Sequence, residues 1–155
     1  MPLTEDQLLE RFNSRTSPTG ALFKSKVLAL RAKDGFVRLS YDIGPQYCNP
    51  YRQIQGGIIS AMLDDACAMS AIVRSGKPIF VPTLELKTSF FAPAPAGVIY
   101  AEARCLKLGR TIAFMEADLL DADRKLYARI SVTAAPRLVE AKPNLIETGD
   151  SKAGR

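Results

Sequence analysis

Two adjacent carboxylates lie inside the most apolar stretch of this 155-residue chain, shortly after a pair of glycines. The stretch 49–71 reads NPYRQIQGGIISAMLDDACAMSA, and its carboxylates are Asp64 and Asp65. A carboxylate on an apolar helix costs desolvation free energy, so it is retained mainly for structural pairing or for acid–base chemistry. Both alternatives are open for Asp64. Asp65 is turned about 100° away, which favours a polar residue on an exposed or hydrogen-bonded side.

The glycine pair provides a second candidate element of an active site, beside the carboxylates. Gly56 and Gly57 come just before the predicted helix, where the first backbone N–H groups are unpaired and carry partial positive charge. Glycine lets a ligand approach closely, so the segment Gly56-Gly57-Ile58 is a candidate oxyanion site, with a tight turn as the alternative. Gly57 and Asp64 share a helix face but lie about 10 Å apart along the axis. Two such helices, antiparallel across a two-fold axis, would bring Asp64 of one chain near Gly57 of the other.

The absence of histidine restricts the chemistry of such a site. The chain contains no His, which removes the usual acid–base group near neutral pH, the usual metal ligand and every Ser–His or Cys–His dyad. Any catalysis must therefore use carboxylates, hydroxyls, amides and backbone dipoles. We expect neither a metal nor another cofactor.

Charge and apolar patterning argue against nucleic-acid and membrane partners. Lys and Arg outnumber Asp and Glu by 21 to 16, and the net charge of +5 favours anionic partners in general. The sequence has no basic run with interleaved aromatics, no zinc-ligand spacing and no apolar run approaching the roughly 20 residues of a membrane span. Its acidic, amphipathic N-terminus differs from a signal peptide, and its scattered cysteines fit a reducing compartment. We therefore expect a cytoplasmic protein.

The elements around this stretch predict an α+β fold. Residues 57–74 have small or apolar residues at nearly every turn, which predicts a long helix buried on most sides. Alternation of apolar and polar residues elsewhere predicts antiparallel strands with one polar face. The predicted strands are 22–31, 35–43, 81–91, 97–107, 111–121 and 125–135. This order indicates a sheet of about six antiparallel strands wrapped around one central helix.

The remaining segments predict a single domain over residues 1–139. A short helix is expected at 4–13, where Thr4 can act as the N-cap with Gln7 three residues later. A turn is expected at 17–20 and a hairpin at 33–35. From about residue 140 the pattern is lost, and 140–155 is predicted to be a mobile tail.

The spacing of the candidate residues resembles that of the hotdog-fold thioesterases. Asn49 is followed after five residues by Gln55-Gly56-Gly57 and, after six more, by Asp64. The resemblance is to the branch of phenylacetate-degradation and human thioesterase-superfamily-like acyl-CoA thioesterases. The segments FVPTLELKTSFFAPAPAG and LGRTIAFMEADLLDADRKLYARISVTAAPRL are similar to the family's next strand and last hairpin, so the resemblance covers roughly residues 20–138. It implies the hotdog fold, in which a sheet wraps a long central helix.

The resemblance also implies catalytic roles by position. Gly57 would donate its N–H to the thioester carbonyl, while Asp64 would act from the partner subunit as general base or nucleophile. Asn49 would orient residue 55 or the attacking water, and Thr83 would help to hold the water or the carboxylate. The family usually has His at position 55, whereas Gln55 cannot take up a proton near neutral pH.

Substrate contacts follow from the same resemblance. Lys107 and Arg110 flank a hairpin turn and could meet the phosphates of coenzyme A. Gly56 would contact the substrate, and Phe90 precedes the proline-rich turn where family members often build the pocket wall.

The expected function is hydrolysis of a small or medium acyl-CoA, aryl or aliphatic, to the free acid and CoA. Because a thiolate leaves readily, one carboxylate and a helix N-terminus suffice in principle. The site would be shared across a homodimer, alone or as a dimer of dimers. Two alternatives stay open: a non-catalytic acyl-CoA or lipid-binding hotdog protein, which Gln55 favours, and a hotdog dehydratase or hydratase, which usually needs the His–carboxylate pair that this chain lacks.

Overall fold

The structure, a computed structural model, describes residues 3–139. Within that range a six-stranded antiparallel sheet packs on one long helix, so the predicted hotdog fold is confirmed. The predicted tail at 140–155 lies outside the described residues.

Helices and strands follow one another along the described chain in the order that the sequence predicted, with some additions. The helices are α1 (Glu5–Ser14), α2 (Pro18–Leu22) and α3 (Gly56–Ser75). The strands are β1 (Lys26–Arg31), β2 (Phe36–Ile43), β3 (Ile79–Phe80), β4 (Thr83–Phe90), β5 (Gly97–Leu108), β6 (Ala113–Leu120), β7 (Leu126–Ala134) and β8 (Arg137–Leu138).

Helix α3 is the central helix predicted over 57–74. It ends at Ser75 because Gly76 adopts a left-handed φ of 59°, which glycine tolerates without steric cost. The helix packs on β5, β6 and β2, and this burial explains its apolar composition. By length and hydropathy alone α3 could cross a membrane, a criterion that buried core helices also meet.

The six-stranded sheet has the order β1-β2-β5-β6-β7-β4, which leaves β4 at one edge. The predicted alternation is confirmed on β2, β5 and β6, where every second residue is buried along most of the strand and the buried residues are apolar. On β2 the buried Tyr41 donates its O–H to the Met62 carbonyl of α3 at 2.9 Å, which ties the sheet to the helix. The two elements that carry the candidate site are therefore held in a fixed relation.

The start of the predicted strand 22–31 and the turn before it were wrong. The strand begins only at Lys26, because the expected turn at 17–20 starts helix α2, with Ser17 as N-cap and Pro18 at its first position. The expected hairpin at 33–35 is confirmed, since β1 and β2 pair antiparallel, and its turn is a 3-10 helix (Ala32–Asp34) capped by Gly35, whose φ is 62°. The small β3–β8 sheet was missed, since strands of two residues are too short to show periodicity.

Helix α1 docks on the outer strand of the sheet. Thr4 and Gln7 form the expected capping box at its start. At its end, the Asn13 side chain donates to the Val27 carbonyl and accepts from the Val27 N–H, both at 2.9 Å. This pair of hydrogen bonds fixes α1 against β1, although none of the residues of α1 is buried.

Candidate active site

Asp64 lies on the side of α3 that faces β4. The Thr83 hydroxyl donates to Asp64 Oδ1 at 2.8 Å, and the carboxylate is half-buried. The sequence resemblance implied that Thr83 holds either the attacking water or the carboxylate, and in the structure its hydroxyl is bonded to the carboxylate. Because Oδ1 is occupied by the hydroxyl, Oδ2 is the oxygen left for another donor.

An irregularity in β4 makes this contact possible. Thr88 also reaches α3, and strict alternation would turn residue 83, five positions earlier, to the opposite face of the sheet. The pairing of β4 with β7 shifts register between Thr83 and Glu85. A shift of this kind re-aims the side chains on one side of it, so Thr83 and Thr88 both meet the helix.

Helix α3 and strand β4 run antiparallel and touch at three levels. Besides Asp64 with Thr83, Ser60 and Thr88 share a hydrogen bond of 2.8 Å between their hydroxyls. At the third level Gly56 lies under the Phe90 ring, since a Cβ added to Gly56 would come 3.1 Å from a ring carbon. We call this line of contacts the α3–β4 seam. Sequence reasoning missed Ser60 and Thr88; the position of Ser60 one turn before Asp64 was the available signal.

Gln55 is the N-cap of α3. Its side-chain oxygen accepts from the Gly57 N–H at 2.8 Å and from the Ile58 N–H at 3.3 Å. Gln55 therefore satisfies two of the unpaired N–H groups that begin every helix. The Gly57 N–H, expected to meet a thioester carbonyl, is occupied by this cap.

Gly56 is the residue at the helix start whose N–H is free. Among the described residues this N–H donates no hydrogen bond. Gly56 also borders a cavity of about 370 Å³ between the helix start and the end of β4. The apolar lining of the cavity consists of Ile54, Ile59, Phe90, Phe91, Ala92, Pro93 and Ala94. A carbonyl oxygen entering this cavity can reach an unpaired donor at the positive end of α3.

Asn49 shapes the loop that leads into this cavity. Its side-chain oxygen accepts from the backbone N–H groups of Tyr51 at 3.0 Å and Gln53 at 3.1 Å. Asn49 also lines the cavity, but the hydrogen bonds of the described residues do not connect it to Gln55. In this structure Asn49 organises the loop rather than the side chain at position 55.

Asp65 lies on a different side of α3 from Asp64. It lines a separate cavity of about 200 Å³, together with Asn13, Arg15 and Ser25. Burial raises the pKa of Asp65 from its ordinary value of 3.8 to about 6, and the neighbouring charge of Asp64 adds to the rise. Asp65 is thus a carboxylate whose charged form is disfavoured by its surroundings, and it lies outside the seam.

Lys107 and Arg110 are exposed at the turn between β5 and β6. The register aligns Leu108 with Ala113, Ala113 with Ala134, and Ala134 with Thr83. The turn therefore lies at the same end of the sheet as Thr83, three strand spacings or roughly 14 Å away. Within one chain these cations contact neither the cavity at Gly56 nor Asp64.

One chain holds two half-sites at opposite ends of the seam. The cavity, the free Gly56 N–H and the Phe90 ring lie at one end, and Asp64 with Thr83 lies at the other. Eight residues of helix separate Gly56 from Asp64, about 12 Å at 1.5 Å per residue. A single chain cannot apply both halves to one atom. In the part of the chain that the structure describes, no group of three or more acidic or Cys residues could hold a metal ion.

Comparison with known proteins relates this chain to one family. A model of the thioesterase superfamily matches residues 54–128, which include the helix start, the whole of α3 and strand β4. Over these residues, just under half of the chain, the protein is similar to the thioesterase superfamily. A search of curated proteins finds no match.

Several solved structures share the fold. A phenylacetic acid degradation-related protein from Ralstonia eutropha is 28% identical, with a TM-score of 0.74 over 85% of this chain and 99% of its own. A thioesterase family protein from Silicibacter pomeroyi is 23% identical, with a TM-score of 0.76 over 88% of this chain and 100% of its own. A Streptococcus mutans protein bound to acetyl CoA is 17% identical, with a TM-score of 0.65 over 73% of this chain and 88% of its own. Family and fold together support a thioesterase-type function.

Proposed function

We propose that this protein is an acyl-CoA thioesterase whose active site is shared between two subunits. The observation that carries the proposal is the separation of the two half-sites along the seam. Gly56 offers an oxyanion donor beside an apolar cavity, and Asp64 offers a carboxylate held by Thr83, but the two are about 12 Å apart along one helix. A two-fold dimer that pairs the seams antiparallel would put each Gly56 opposite the partner's Asp64.

The edge of the sheet supports such a pairing. Strand β4 pairs on one side with β7, and within the described residues its other edge has no partner strand. Three of its apolar side chains are largely exposed: Leu84 at 60%, Phe90 at 53% and Leu86 at 40%. An exposed edge strand with apolar side chains is an aggregation hazard unless it is covered. A second copy of β4 would cover it and bury those side chains.

The middle of the seam is compatible with a two-fold axis. Residue 60 is midway between Gly56 and Asp64, and there the Ser60 and Thr88 hydroxyls bond each other. An axis near this level exchanges the ends of the seam, as an isologous interface requires. Both active sites of the dimer would then be equivalent.

In this arrangement each group has a distinct part in hydrolysis. The Gly56 N–H and the start of α3 stabilise the negative charge that develops on the thioester oxygen. Asp64, with Oδ1 bonded to Thr83, accepts a proton from water through Oδ2 as the water attacks the carbonyl carbon. The carbon–sulfur bond then breaks and CoA leaves as a thiolate, which needs little acid assistance. We place the oxyanion donor at Gly56 rather than Gly57 because the cap occupies the Gly57 N–H.

Gln55 fits this mechanism without any proton transfer. Its side chain caps α3 and so fixes the position of the helix start against the cavity. The family resemblance and the acetyl CoA bound by the Streptococcus mutans protein support a CoA-type ligand. Lys107 and Arg110 are the exposed cations that we expect to meet its phosphates, from the end of the sheet where Asp64 lies.

The direct test is release of free CoA thiol from short, medium, long and aryl acyl-CoAs by the full chain and by Asp64→Asn. We expect turnover of at least one substrate and a loss of about 10²-fold or more in kcat for Asp64→Asn, with an unchanged fold. Tight acyl-CoA binding without turnover would instead favour the non-catalytic alternative that Gln55 suggests. Wild-type rates in Asp64→Asn would remove Asp64 from the mechanism.

A further inference from the structure

A second cavity lies at the far end of α3 from Gly56. It occupies about 450 Å³ between α1, the last turn of α3 and the segment that leads into β3. This volume falls within the range of roughly 300–1,000 Å³ that small-molecule sites occupy. Ile72, on its wall, is 16 residues from Gly56 along α3, or about 24 Å. The cavity, which we call the α1 cleft, is therefore separate from the candidate active site.

The walls of the α1 cleft are apolar and incompletely covered. Leu8, Phe12, Ile72 and Ile79 are all half-buried rather than buried, and Leu3 is 43% exposed. Helix α1 contributes no buried residue although its apolar stripe faces this cleft. Because removal of apolar surface from water is favourable, an apolar occupant of this cleft would be stabilised.

The same cleft is rimmed by positive charge. Arg11 lies in the last turn of α1, Arg15 is its C-cap, and Lys77 follows the C-cap of α3. Among the described residues none of these three forms an ion pair, in contrast to five arginines elsewhere that do.

Helix dipoles do not cancel this charge. The ends of α1 and α3 near the cleft are C-termini, and each contributes roughly half a negative charge. Three full positive charges outweigh about one negative charge in total. Asp65 lines the smaller cavity, and the described residues that line the α1 cleft include no carboxylate. The cleft therefore combines apolar walls with a positive rim.

We propose that the α1 cleft binds an amphiphilic anion, specifically an alkanoate of medium chain length. The alkyl chain lies against Leu8, Phe12, Ile72 and Ile79, and the carboxylate lies at the rim among Arg11, Arg15 and Lys77. Charge complementarity selects the anion, and the apolar walls select the chain. This site does not depend on the proposed thioesterase activity.

The test uses full-length protein with ¹³C-labelled isoleucine methyl groups, titrated with decanoate. Ile72 and Ile79 report on the α1 cleft, whereas Ile54 and Ile59 report on the cavity beside Gly56. We expect saturable shifts of the Ile72 and Ile79 methyl signals with decanoate and much weaker ones with decanol or decyltrimethylammonium.

Charge variants test whether the cations at the rim of the α1 cleft recognise the carboxylate of the ligand. The double variant Arg11→Gln/Arg15→Gln should weaken decanoate binding at Ile72 and Ile79 by about tenfold or more, since charge-assisted hydrogen bonds are lost. The matched control Lys33→Gln/Lys125→Gln removes the same charge from exposed sites elsewhere and should bind as the wild type does. Thermal unfolding of each variant checks that the fold is retained.

Three results would overturn the proposal. Shifts confined to Ile54 and Ile59, or no shift at all, would show that decanoate does not enter the α1 cleft. Equal binding of decanol would show that the rim does not select a charge. A variant that lacks residues 140–155 provides the third result. If this variant showed the shifted Ile72 and Ile79 signals without decanoate, and decanoate then changed nothing further, the shifts would report on residues 140–155 rather than on binding of an alkanoate.

Discussion

Thr83 and Asp64 are joined across the seam by a hydrogen bond of 2.8 Å, although 19 residues separate them in the sequence. The bond links the first residue of an edge strand to the side of the central helix. It depends on the register shift that follows Thr83, so the strand irregularity and the carboxylate form one structural unit.

Removal of the Thr83 hydroxyl should slow turnover without unfolding the protein. Hydrogen bonds to charged groups contribute about 1.5–3 kcal/mol, so Thr83→Val should lower kcat by about 10- to 100-fold. Thr83→Ser keeps the donor and serves as the matched control. Steady-state kinetics on the best acyl-CoA make the comparison, and a Thr83→Val enzyme with wild-type kcat would show that Asp64 needs no partner.

Asp65 should make the free energy of unfolding depend on pH. Its pKa is about 6 in the folded chain against an ordinary value of 3.8, so the charged form is disfavoured by folding. The resulting penalty is fully present above about pH 7, shrinks as pH falls through 6 and is gone below about pH 4. Asp65→Asn should therefore stabilise the protein at pH 7.5 by about 2–3 kcal/mol and not at pH 4.

Denaturant unfolding at both pH values measures this effect. Asp123→Asn, at an exposed turn position, is the control and should change little. Asp64→Asn removes one of the two causes of the raised pKa, so a carboxyl NMR titration should find the pKa of Asp65 lower in that variant. Destabilisation by Asp65→Asn at pH 7.5 would mean that Asp65 has a stabilising partner in the assembled protein.

The oxyanion role of Gly56 can be separated from its packing. Proline is favoured at the first position of a helix and lacks an N–H, so Gly56→Pro removes the donor while helix α3 can still begin there. Loss of an oxyanion donor typically lowers kcat by about 10²–10³-fold. Gly56→Ala places a Cβ against Phe90 as proline does but keeps the N–H, so its kcat should fall much less. Equal losses in the two variants would indicate a steric effect.

Gln55 should act as a cap and not as a proton carrier. Serine is a preferred N-cap residue, so Gln55→Ser should keep stability and most activity, while Gln55→Ala should lower the free energy of unfolding by about 1 kcal/mol. Thermal unfolding and kcat are measured on both variants. A stable Gln55→Ser protein with no turnover would assign the amide a direct contact with substrate or water.

The sequence predicted the fold because its strongest patterns are periodic. Residues 57–74 and the alternating strands carry long signals, whereas α2 and the β3–β8 pair are too short to do so. The contact of Thr83 with Asp64 followed from family resemblance. The occupied Gly57 N–H did not, because it depends on the rotamer of Gln55. Ser60 and Thr88 were missed because the sequence does not show which strand residue faces Ser60, although Ser60 lies one turn before Asp64.

Mixing two inactive variants tests the shared site most directly. In a dimer of Asp64→Asn with Gly56→Pro, one site would combine an intact Asp64 with the partner's Gly56, and the other site would lack both. With random exchange half of the dimers are mixed, so activity should return to about a quarter of the wild-type value. Sites built within single chains would each keep one defect, and a mixture no more active than its separate components would contradict the shared active site.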